Sequence, residues 1–120
     1  MLGYGLFLAG LCLLLAHEMD AVRLKEWRLL PILSGLRDEA GYLAFTSLHV
    51  PLYALLFWGL FGGGMVNRGL VVALDAFFVV HLALHVILRN LPGNQFRSAF
   101  SWGLIVGAGV CGTTDLLLMP

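Results

Sequence analysis

Phe77-Phe78-Val79-Val80-His81-Leu82-Ala83-Leu84-His85-Val86-Ile87-Leu88-Arg89 is an apolar run interrupted by two histidines and closed by an arginine. Traced back to Met65 it supplies the roughly 20 residues that a helix needs to cross the hydrocarbon of a bilayer. Helical geometry stacks His81 and His85, four residues apart, on one face about one turn from each other. Lipid penalises such side chains, so this face is expected to turn inward and meet polar partners.

Three more segments of this kind, roughly 2–22, 41–61 and 98–118, account for most of the remaining chain. Hydrophobic residues make up 60% of the 120, more than a soluble core of this size hides, so the chain reads as one integral membrane domain. The fold class expected is all-α: a bundle of four transmembrane helices with short loops. The first segment lacks a basic leader and a small-residue cleavage site, and is read as a retained helix. Charged residues are only 12% and the formal net charge is zero, which leaves no basic field for nucleic acid. Membrane lipid is the expected surrounding. No P-loop, GxSxG, GxGxxG or CxxC pattern occurs in the sequence, so phosphate-cradling and serine-nucleophile chemistry have no support.

Orientation follows from the basic residues. Arg23, Lys25, Arg28, Arg37, Arg89 and Arg97 fall on one side of the four segments and Arg68 alone on the other. The positive-inside rule then puts both termini on the non-cytoplasmic side. Ala21–Leu30, mixing apolar and basic residues, is expected to leave the membrane as an interfacial helix with Trp27 at headgroup level. In the last segment Ala99, Gly103, Gly107 and Cys111 form a small-residue ridge suited to close helix packing. Asp115 near the outer end is expected to reach water, while Asp75 at mid-depth must be protonated, hydrogen-bonded or turned to a polar cavity.

Depth gathers the remaining polar groups. At 1.5 Å of rise per residue, His17, His49, His81 and His85 come out at ~7, ~12, ~11 and ~5 Å from the cytoplasmic ends of their helices. Glu18 and Asp20 lie at the same level. Neutral imidazoles beside a carboxylate suit zinc or ferrous iron, so the expected metal site is drawn from His17, Glu18, Asp20, His49, His81 and His85, with Asp75 outside it. A catalytic version has the metal activating a water or oxygen-derived species for a lipid-soluble substrate, with Glu18 or Asp20 as general base. Three alternatives stand beside it. In the first the histidines are interhelical hydrogen-bonding groups; in the second His49 with His81 or His85 clasps a heme; in the third the chain is an accessory subunit of a larger respiratory or photosynthetic complex, a histidine ligating heme or pigment, or a homo-oligomer.

His17-Glu18-Met19-Asp20-Ala21, Lys25-Glu26-Trp27-Arg28, His49-Val50-Pro51, the His81 and His85 pair, and the asparagine, phenylalanine and serines between Asn94 and Ser101 carry a resemblance. On them the chain resembles a small uncharacterised bacterial family of four-helix membrane proteins. It is more distantly similar to membrane families with a His-x-x-Glu-Glu motif, from which Glu18-Met19-Asp20 departs. The resemblance implies the fold, the topology and a bacterial inner membrane location, and no activity.

Overall fold

A computed structural model describes residues 3–120. It contains four helices: α1 (Gly5–Arg23), α2 (Asp38–Phe61), α3 (Arg68–Ile87) and α4 (Ala99–Leu118). All four are long and apolar enough to cross a membrane, and no strand occurs among the described residues. Leu2, the expected start of the first helix, lies outside the described residues.

Local sequence explains the helix ends. Asn67 and Ser98 cap α3 and α4, their side-chain oxygens accepting from the backbone N–H groups of Leu70 (3.1 Å) and Ser101 (3.0 Å). Asp38 and Glu39 occupy the positive end of the α2 dipole. There Asp38 also takes Arg28 Nη2 at 2.7 Å and Lys25 Nζ at 3.0 Å, tying the α1–α2 connection to the start of α2.

α4 packs along both α1 and α3, and small residues set how closely. A β-carbon on Gly112 would stand 2.6 Å from the carbonyl oxygen of Asp75, and one on Gly107 would stand 2.9 Å from Leu13. The buried face of α4 runs through Ser101, Ile105, Ala108, Gly109, Gly112 and Asp115. This differs from the ridge expected through Ala99, Gly103, Gly107 and Cys111: Ala99 and Gly103 are exposed. The helix is turned so that Gly109 and Gly112 meet α3, because their missing side chains leave room for Leu82 and Phe78. The rotation also turns Asp115 inward to 5% exposure, so that the water it was expected to reach meets it only through a cavity.

α2 stands apart from this three-helix core and is anchored chiefly at its two ends. Leu60 joins an apolar cluster with Phe7, Leu11, Val71 and Phe78, while Phe45 joins Trp27, Ala21 and Phe96. Between them Leu48, Val50, Leu52 and Leu55 are exposed, surface that suits lipid rather than protein.

The α1–α2 connection departs from the expected interfacial helix. α1 ends at Arg23, and Lys25 adopts a left-handed backbone conformation (φ 57°, ψ 51°). That residue turns the chain back under the bundle into a short 3₁₀ turn, Glu26–Leu29. Trp27 is 2% exposed rather than at the headgroups. It packs against Phe45 and lies so close over Gly41 that no β-carbon would fit there.

Candidate metal centre

Three histidines meet in the interior, two from α3 and one from α1. His81 and His85 bring their rings to 4.6 Å between centroids, as expected from one helix face. His17 comes across from α1 to 4.7 Å from His81 and 4.9 Å from His85. His17 is fully buried, and His81 and His85 are nearly so.

The carboxylate that reaches them is Glu26. Its Oε2 stands 3.2 Å from His17 Nε2 and 3.9 Å from His85 Nε2. One ligand atom from each of His17, Glu26, His81 and His85 lies within 4.8 Å of every other. Burial works to raise the Glu26 carboxyl. The hydrogen-bonding contact and charge of His17, with the charges of His85 and His81, outweigh it and hold the group below the usual carboxylate range.

Aromatic side chains close the site. Phe96, 2% exposed, meets the His85 ring edge-on at 4.8 Å and lies tilted against His17 at 5.4 Å. It is placed by the α3–α4 connection, where Gly93 turns with φ 89°. Asn94 donates to the Leu88 carbonyl and accepts from the Phe96 N–H, both at 2.8 Å. Trp102 Nε1 donates to the Phe96 carbonyl, also at 2.8 Å.

Within this enclosure the donor atoms find few protein partners beyond the approach of His17 to Glu26. Both ring nitrogens of His17, both of His81, Nδ1 of His85 and Oε2 of Glu26 are buried without an aligned hydrogen bond. Native interiors satisfy nearly all such atoms, and each one left bare costs about 1–3 kcal/mol. Six in one place call for something that satisfies several at once. The packing alternative, in which the histidines are interhelical hydrogen-bonding groups, accounts for the contact of His17 Nε2 with Glu26 Oε2 and leaves the other four of these atoms without a partner.

The other three residues of the expected site are engaged elsewhere. Asp20 accepts from Ser101 Oγ at 2.5 Å and pairs with Arg23 Nη2 at 3.1 Å, a tie between α1 and α4. Glu18 points about 100° around α1 from His17, as its position on the helix requires, and meets His49 Nε2 at 2.8 Å. His49 uses its other nitrogen on the Phe45 carbonyl at 2.6 Å. The structure therefore brings together His17, His81 and His85, adds Glu26, and leaves Glu18, Asp20 and His49 outside. Asp75 also lies outside the group.

Glu26 was missed because it lies beyond the end of α1, where helical periodicity no longer relates it to His17. Its presence in the Lys25-Glu26-Trp27-Arg28 run was the available signal.

The profile of a family of unknown function, DUF6713, matches residues 4–120. The chain belongs to that family. As a DUF6713 member it inherits no assigned activity, and the expectation of a family without a known function is met to that extent. No curated protein and no solved structure matches the chain.

Proposed function

We propose that this DUF6713 protein is an integral membrane protein that holds a divalent metal ion, zinc or ferrous iron, through His17, Glu26, His81 and His85. The observation that carries the reading is the enclosed group of three imidazoles and one carboxylate, most of whose donor atoms have no aligned hydrogen bond in the protein. Three nitrogens and one oxygen are a donor set that both ions accept. Ligand bonds of about 2.0–2.1 Å place tetrahedral donor atoms roughly 3.4 Å apart. The separation of His17 Nε2 from Glu26 Oε2, 3.2 Å, meets this, and that of His85 Nε2, 3.9 Å, needs to close by about half an ångström.

With all four donors engaged, a tetrahedral ion is saturated, which suits retention of the metal better than water activation. Glu18 and Asp20, considered as general bases, are committed to His49 and to Ser101 and Arg23. Metal binding is therefore the function proposed, without a reaction. A heme clasped between His49 and the α3 histidines has little support, since His49 bonds Glu18 and the remaining rings stand under 5 Å apart. The basic residues that flank the helices put the metal toward the cytoplasmic side of the membrane.

Elemental analysis of the protein purified in mild detergent tests the proposal. About one zinc or iron per chain is expected, lost in His17→Ala and His81→Ala proteins that remain helical. Protein that carries no metal and takes up neither ion after reconstitution refutes it.

A further inference from the structure

Asp75, near the middle of α3 and six residues before His81, and Asp115, near the end of α4, bring two carboxyl groups together. Asp75 is wholly buried and Asp115 is 5% exposed, and the two side chains meet at hydrogen-bonding range. The helix backbones touch here, where a β-carbon on Gly112 would strike the Asp75 carbonyl. Both side-chain oxygens of Asp75 and Oδ2 of Asp115 are buried without a donor.

Neighbouring donors are spent elsewhere. The hydroxyls of Thr113 and Thr114 bond back to the carbonyls of Gly109 and Val110. Arg68 Nη2 donates to the Pro120 carbonyl. Among the described residues neither aspartate has a basic side chain within ion-pair distance. Two ionised carboxylates in contact, largely withdrawn from water and with no counter-charge at ion-pair distance, would repel each other and lose hydration. One proton between them removes the repulsion and supplies the missing donor, as in other paired acids.

We propose that Asp75 and Asp115 share a single proton, forming a proton-binding site inside the bundle that exchanges with water through the cavity on which Asp115 lies. Among the described residues that cavity, of about 700 Å³, is also lined by Pro120 and by Tyr4 and Arg68, which have the other titratable side chains facing it. Asp75 does not line it, so Asp115 is the member of the pair that exchanges with water. Loss of the proton leaves two like charges where α3 and α4 approach closely, so proton occupancy is linked to how tightly these helices pack.

Infrared spectroscopy of the full chain in lipid, compared in H₂O and D₂O near neutral pH, tests the proposal. The wild type is expected to show a protonated-carboxyl carbonyl stretch that shifts on deuteration. Asp75→Asn and Asp115→Asn are each expected to abolish that component, because the remaining carboxylate ionises and accepts from the new amide. Absence of the band from the wild type overturns the shared proton, as does its survival in both variants. Halving in each variant also overturns it, since that marks two independently protonated acids. Helical circular dichroism and metal content unchanged from wild type show that a variant is folded with the histidine site intact. If Asp75→Asn fails this control, Asp115→Asn, at the more accessible member, decides.

Discussion

Replacing Glu26 with glutamine keeps the shape of the side chain and removes the charge that stands 3.2 Å from His17 Nε2 and 3.9 Å from His85 Nε2. Groups that merely support a metal ligand typically contribute 10- to 100-fold to affinity, so loss of an anionic ligand sets the expected cost at about 100-fold or more. At ~1.4 kcal/mol per tenfold this is at least ~2.8 kcal/mol. The comparison that gives the experiment its force is with Glu18→Gln and Asp20→Asn. Both carboxylates are nearer to His17 in sequence, yet one is held by His49 and the other by Ser101 and Arg23. Each of these variants should stay within about tenfold of wild type, one ~1.4 kcal/mol step. Competition with a chromophoric chelator, on metal-free protein titrated with zinc in mild detergent, measures all three. Glu26→Gln affinity within tenfold of wild type refutes the assignment, and a larger loss in Glu18→Gln than in Glu26→Gln refutes the geometry behind it.

Gly41→Ala puts a methyl group into the Trp27 ring, which has no room to accept it. The overpacking should cost ~1–3 kcal/mol and displace Glu26 with its neighbour, so the thermal midpoint and zinc affinity should fall together; if both are unchanged, the turn does not position the site. Acidification should release the metal, since imidazoles and carboxylate bind only when deprotonated and affinity therefore rises with pH; zinc retention that is flat from about pH 7 to pH 5, across the ordinary histidine range, contradicts imidazole ligation. Reporter fusions at the two termini should both give an exterior signal by the positive-inside rule, and an active cytoplasmic reporter after Pro120 overturns the orientation.

The sequence by itself determined the four helices and part of the cluster. Length and apolar composition select spans because a backbone in lipid must satisfy its own hydrogen bonds, and that constraint is local to each segment. The pairing of His81 with His85 was legible for the same reason: a four-residue spacing fixes a shared face however the helices pack. His17 was legible by depth, from its distance to a basic helix end. Depth also nominated Glu18, Asp20 and His49, because it carries no information about rotation around the helix axis. Only tertiary packing decided that rotation: it sent Asp20 to Ser101 and Glu18 to His49, and turned α4 so that Asp115 meets α3 at the edge of a cavity. The choice of Glu26 depended on one left-handed residue, Lys25. A reversal of that kind is held by distant contacts, the Trp27 indole over Gly41 and the grip of Lys25 and Arg28 on Asp38. Those contacts exist only once α2 has docked, so no periodicity along the chain records them.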